Sequence, residues 1–328
     1  MVAICSPVSP IAGAERRAYC TVVAQLGAEL FLLPRISTPA MAYTHLITVA
    51  ELQDLSASGT PHRVFDCSFD LMNPDAARAL FANKHIPGAV LAHLDQHLSA
   101  HDAAEAQSGG RHPLPSREQL RDWLRSIGLQ QGMQAVVYDR NGNNFCGRLW
   151  WLLKWAGHEA VAILDGGLQA WEQADAPLES GSSQASLQPG DFELAEPLVG
   201  LVGGDEMYAL HDRPGQCVID SRAGPRFRGE VEPLDPQAGH IPGARNRPFS
   251  ENLTPDGRFK PPAQLRAEFE SLLAGRDPAD IIVYCGSGVS AVPNLVALEL
   301  AGLAGARLYA GSWSEWSRTP GRPVATGA

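Results

Sequence analysis

The chain has 328 residues, enough for about two domains at the usual 100–200 residues each. Hydrophobic residues make up 45% and charged residues 19%, a mix that buries sizeable cores and excludes disorder over most of the length. The 26 basic and 36 acidic residues leave a formal charge of −10, which argues against a nucleic-acid partner, and no apolar run approaches the ~20 residues of a membrane-spanning helix.

Residues 1–40 lack a regular strand or helix pattern and end in the proline-containing run 35–40. Two readings fit them: a poorly ordered leader, or a chain whose native start is Met41. Glu15, Arg16 and Arg17 interrupt the apolar core that a secretion signal needs. The six cysteines, Cys5, Cys20, Cys67, Cys146, Cys217 and Cys285, contain no Cys-x-x-Cys pair. That removes the usual support for a zinc site or a dithiol redox centre, and a set this sparse suits a reducing, cytoplasmic compartment.

Regular α/β patterning opens at 44–49, and an internal repeat then organises the chain. His85-Ile86-Pro87-Gly88-Ala89 returns as His240-Ile241-Pro242-Gly243-Ala244, at an offset of 155. Val64-Phe65-Asp66 pairs with Val218-Ile219-Asp220 at 154, residues 135–139 with 281–285 at 146, and residues 165–171 with 310–316 at 145. Four matches in one order mark two copies of one domain, each too long for a solenoid unit. The boundaries expected are a first domain over 43–176, a polar linker over 177–199 and a second domain over 200–322.

Within copy one, residues 63–67, 135–138 and 160–164 read as strands, with 217–220, 281–284 and 306–309 as their counterparts. Runs such as Ile281-Ile282-Val283-Tyr284 are apolar on both faces, as buried parallel strands are. Residues 145–156 and 292–301 read as helices. The fold expected is α/β: two domains, each a parallel sheet flanked by helices.

In such sheets ligands sit at the carboxyl ends of strands. Cys285 follows a strand directly, and Cys285-Gly286-Ser287-Gly288-Val289-Ser290 leads into a helix. The two glycines let the loop curl so that successive N–H groups converge, and the helix start adds partial positive charge. Together these favour a thiolate and would equally favour a persulfide anion. At the equivalent place copy one has Asp139, which cannot carry sulfur, so the first domain is expected to be catalytically silent and to close the pocket. The other cysteines lack this loop context and read as structural.

The repeated domain, the cysteine loop and the silent first copy together resemble a tandem-domain rhodanese-type sulfurtransferase, over residues 43–320. The resemblance implies two rhodanese-like domains and sulfur transfer through a persulfide on Cys285, with no metal or organic cofactor. The partners it implies are a small-molecule sulfur donor and a thiol or cyanide acceptor. The His-Ile-Pro-Gly-Ala elements resemble a structural signature of the family, with a pocket role left open for His85.

Members that prefer thiosulfate tend to carry basic residues after the cysteine, and those that prefer 3-mercaptopyruvate tend to carry Cys-Gly-Ser-Gly-Val-Thr. Here the loop is the second pattern with Ser290 for threonine. Arg226 resembles the family's substrate-binding arginine, and Gly286, Ser287, Gly288, Val289 and Ser290 complete the implied binding loop. Arg222, two residues after Asp220, reads as a structural ion pair. Mercaptopyruvate enzymes usually carry a second arginine about nine residues beyond the first, where this chain has Leu234-Asp235. An arginine placed at 235 is therefore expected to raise mercaptopyruvate turnover if its side chain reaches the pocket.

Thiosulfate transfer and a non-enzymatic rhodanese-like binding module stand as alternatives. A phosphatase of the Cys-x5-Arg type is excluded, because position 291 holds Ala291.

Overall fold

The computed structural model describes residues 42–102, 104–181 and 188–327. The leader over 1–40 and the middle of the expected linker lie outside the described residues, and so do Cys5 and Cys20.

Two five-stranded sheets organise the described chain, and every strand pairing in them is parallel. The first holds β1 (Leu46–Ile47), β2 (His62–Asp66), β3 (Val90–Leu91), β4 (Gln134–Tyr138) and β5 (Val161–Leu164), in the order β1-β5-β4-β2-β3. The second holds β6 (Gly200–Val202), β7 (Cys217–Asp220), β8 (Arg245–Asn246), β9 (Ile281–Tyr284) and β10 (Arg307–Tyr309), in the order β6-β10-β9-β7-β8. The topology is the same in both, as the repeat requires. The central strands β4 and β9 are buried along their whole length, which explains why their sequences do not alternate.

The opening stretch 44–49 yields only a two-residue strand. Thr48 ends it, because its side chain accepts from the Glu51 amide while Glu51 reaches back to the Thr48 amide. This reciprocal cap starts a helix at Val49.

The repeated His-Ile-Pro-Gly-Ala elements do the same structural work in each copy. His85 stacks on Phe81 and bonds its carbonyl through Nδ1, and His240 does so with Phe227. The Ile86 amide donates to the Tyr138 hydroxyl at 3.1 Å, and the Ile241 amide to the Tyr284 hydroxyl at 3.1 Å. Gly88 and Gly243 turn the chain with φ of 70° and 80°, a conformation glycine adopts without strain.

The two domains share one hydrophobic cluster. Helix Cys146–Trp155 of the first crosses helix Val292–Leu300 of the second at Gly147, where an added Cβ would sit 3.3 Å from Val292. His45 Nε2 also meets Glu299 Oε2 across the interface, at 2.6 Å. Among the described residues no helix is long and apolar enough to cross a membrane.

Candidate active site

Cys285 directly follows β9 and lines a cavity of about 230 Å³. Its backbone is fixed from both sides: its amide donates to Ser312 Oγ at 3.1 Å, and its carbonyl accepts from the Trp313 amide at 3.0 Å. Gly288 has φ of 73°, and a Cβ there would collide with the Ala310 carbonyl oxygen. Glycine is thus required by both the turn and the close approach. None of the amides from Gly286 to Ser290 is used by another acceptor of the chain among the described residues.

Of the residues expected from the sequence, Cys285, Gly286, Ser287, Ser290 and Arg226 line the cavity. Gly288 and Val289 do not; Val289 instead packs into the hydrophobic core. His85 lies outside the lining as well. Cys67, Cys146 and Cys217 are buried, and burial pushes all three thiols up from their ordinary pKa.

Arg226 comes from the short helix Gly224–Phe227. Its Nε and Nη2 donate to Glu232 at 3.2 and 2.6 Å, and Nη1 is left on the side facing Gly286. Arg222 is buried and committed. It donates to Asp220 at 2.7 Å, to Glu232 at 3.2 Å and to the Gly239 carbonyl at 2.6 Å.

Three groups that the sequence did not reveal come from the first domain. Arg111 lines the cavity and donates to Asp235 Oδ1 at 2.9 Å. His112 Nδ1 is hydrogen-bonded to Ser287 Oγ at 2.7 Å, while its Nε2 lies 3.5 Å from Asp95. Burial, then the charges of Arg148 and Arg111, pushes the His112 pKa down to about 3, so its imidazole is neutral at pH 7. Arg148 is fully buried and donates to the carbonyls of Gly288, Leu98 and His112. Burial lowers its pKa to about 10, which leaves a cation beneath the cysteine loop at pH 7. The one sequence signal for Arg111 and His112 was a Gly-Gly step before two basic residues in copy one.

These contacts reverse one expectation. Asp235 stands where an arginine was expected to help, yet its side chain is fully buried and faces Arg111, Arg226 and Arg318. A cation at 235 would meet three others there. The cavity is also less poor in cations than the bare loop suggests, since Arg111, Arg222 and Arg226 all line it.

The arrangement presents a thiol beside unclaimed amides, a hydroxyl held by a neutral imidazole, and guanidinium groups overhead. That combination binds a small anion and places its reacting atom at a sulfur nucleophile. No group of three or more His, Cys, Asp or Glu residues able to hold a metal occurs among the described residues.

Comparison with known proteins shows which family the chain resembles. The rhodanese-like domain family matches residues 48–174 and 204–319. A Pseudomonas aeruginosa protein named "Probable 3-mercaptopyruvate sulfurtransferase" is 49% identical over 265 residues, covering 80% of this chain and 92% of that one. A Mycobacterium tuberculosis protein named "Putative thiosulfate sulfurtransferase SseB" is 40% identical over 286 residues, covering 86% and 97%. The crystal structure of SseA, a 3-mercaptopyruvate sulfurtransferase from Escherichia coli, superposes with a TM-score of 0.70 at 32% identity, over 83% of this chain and all of that one.

Proposed function

The chain belongs to the rhodanese-like family and is a sulfurtransferase, and we propose that it takes sulfur from 3-mercaptopyruvate and carries it as a persulfide on Cys285. The observation that carries this reading is the convergence of Arg226 and the amide-rich Cys285 loop on one small cavity. A monocarboxylate donor is held by charge-assisted hydrogen bonds from a guanidinium, with its thiol directed at the cysteine. The second domain, residues 200–322, does the chemistry, and the first, residues 43–176, closes the pocket.

The Cys285 thiolate attacks the donor sulfur. A sulfur–sulfur bond forms, the donor's carbon–sulfur bond breaks, and its electron pair leaves on carbon as pyruvate enolate. The enolate takes up one proton and departs as pyruvate. Overall, cysteine thiol and mercaptopyruvate give cysteine persulfide and pyruvate, with no external oxidant or reductant. The amides of Gly286 to Ser290 stabilise the persulfide anion. Ser287, hydrogen-bonded to neutral His112, moves the proton between the donor thiol and the enolate carbon. A thiol or cyanide then attacks the outer sulfur and restores Cys285. The reduced cysteine that this cycle requires suits the cytoplasm.

Thiosulfate is the second reading. It is favoured by the arginines that line the cavity, because a dianion gains from each of them. Comparing kcat/KM for the two donors decides between them. A higher value for thiosulfate overturns the donor assignment and leaves the sulfurtransferase class intact. Failure to form thiocyanate from cyanide with either donor would instead favour a binding module.

A further inference from the structure

The chain lacks an arginine at 235, where mercaptopyruvate enzymes usually carry their second one, yet a second guanidinium stands over the cysteine loop. We propose that Arg111 of the silent first domain is the second donor-binding cation, and that Asp235 is the residue that positions it. This rests on the reading above that the donor carries a carboxylate.

The loop that carries Arg111 is shaped to reach the other domain. A Cβ on Gly109 would lie 2.5 Å from Glu315 Oε1, and one on Gly110 would lie 2.5 Å from the Gly311 carbonyl oxygen. Gly110 also has φ of 89°. The backbone collision and positive φ at 110 therefore require glycine where this segment meets the Gly311–Ser314 turn that holds the Cys285 backbone. There the Arg111 amide donates to Ser314 Oγ at 2.9 Å. The side chain continues into the cavity, where Nη1 donates to Asp235 at 2.9 Å.

Asp235 binds Arg111 on one edge only. Nη2 stands 3.2 Å from where a Cβ on Gly286 would sit, and Arg226 Nη1 stands 3.5 Å from the same point. Arg111 Nε is buried without a hydrogen-bond partner among the described residues. Two guanidinium groups, each anchored to a carboxylate behind it, therefore turn a donor edge toward one spot beside Cys285. The local charges agree. Within this ion-pair network Arg111, Arg222, Arg226 and Arg318 face Asp220, Glu232 and Asp235, so the guanidinium groups exceed the carboxylates by one. An arginine at 235 and the Arg111–Asp235 pair are thus two ways to set the same cation over the loop, the second drawn from the other domain.

The test uses two donors in the full-length protein: 3-mercaptopyruvate and mercaptoacetone, which keeps the thiol and ketone and replaces the carboxylate with methyl. Losing one charge-assisted contact is expected to lower kcat/KM for mercaptopyruvate about 10- to 100-fold in Arg111→Ala, mainly through KM. Turnover of mercaptoacetone should change less than about threefold, because that donor has no carboxylate to lose. Asp235→Arg alone should lower mercaptopyruvate turnover, and Arg111→Ala with Asp235→Arg should recover part of the loss by returning a cation to the loop. Equal losses on both donors, or none on either, would overturn the role of Arg111. Should Arg111→Ala fold poorly by melting temperature, Arg111→Gln carries the same comparison. A wild type that handles both donors equally well would overturn the carboxylate reading itself, a result separate from any effect of Arg111.

Discussion

The two copies of the domain build the same loop and fill it differently. In the first, the Asp139 carboxylate accepts from the amides of Asn141, Asn143, Phe145 and Cys146, at 2.7–3.0 Å. In the second, the amides after Cys285 have no such acceptor among the described residues. Copy one thus shows what the loop is suited to hold: an anion at the end of the central strand, ringed by N–H groups. A carboxylate attached to the chain closes the nest for good. A sulfur leaves it available to a persulfide that comes and goes. The copies also cover each other. Residues 108–114 of the first lie over the Cys285 loop, while Asn143 and Asp165 of the first meet Gly257 and Phe259 of the second.

The sharpest break in this comparison is Cys285→Ser. A hydroxyl cannot hold a persulfide, so sulfur transfer should be abolished while folding survives. Mass spectrometry after donor treatment should show one added sulfur on the wild type, at Cys285. Sulfur on buried Cys67 or Cys217 instead would refute the assignment.

Asp139→Ala attacks the other copy. Removing the carboxylate strands four amides, each at a cost of about 1–3 kcal/mol where no water reaches it. Loop relaxation recovers some of this, and a loss of about 3 kcal/mol or more is expected, read as a fall of at least about 6 °C in melting temperature. Persulfide formation on the folded fraction should persist, because Asp139 touches no donor. A variant with unchanged stability would mean that the carboxylate is not what holds that loop.

Arg226→Ala sharpens the donor side of the comparison. The loss of a charge-assisted hydrogen bond, about 1.5–3 kcal/mol, corresponds to about a 10- to 150-fold drop in kcat/KM for mercaptopyruvate. Steady-state kinetics checks it. Wild-type kinetics in this variant would mean that Arg226 serves only its ion pair with Glu232.

The fold was legible because the repeat printed it twice. Apolar runs at matched offsets gave the central strands, and the difference between Asp139 and Cys285 marked the copy proposed to do the chemistry. The edge strands β3, β6 and β8 escaped and β1 was marked only as the opening stretch 44–49, since two or three residues carry no periodicity. In the site, the Cys285 loop and Arg226 could be read because they are local to one strand end or one helix turn. Arg111, His112 and Arg148 could not. Each sits in copy one, more than a hundred positions from the cysteine, and only the packing of one copy on the other brings them there. Asp235 was misread for the same reason. As a sequence position it looked like a missing arginine; in three dimensions it is the anchor for an arginine from the other domain.

The effect confined to acid pH concerns His112, which copy one lends to copy two. An unfolded histidine titrates near 6.5, whereas burial with Arg148 and Arg111 nearby holds this one at about 3. Between those values the unfolded chain binds a proton that the folded chain refuses. Stability is therefore fully present above about pH 6.5 and declines as pH falls toward 3, below which both states are protonated and the dependence ends. Half-buried His97, held at about 4, adds a dependence of the same sign. One refused proton corresponds to a slope of about 1.4 kcal/mol per pH unit. Urea unfolding at pH 6, 5 and 4 should show this decline in the wild type, with the slope reduced by about one proton's worth in His112→Gln. A variant that kept the full wild-type slope would show that the pH dependence arises elsewhere, and that the imidazole beside Ser287 does not stay neutral at the expense of stability.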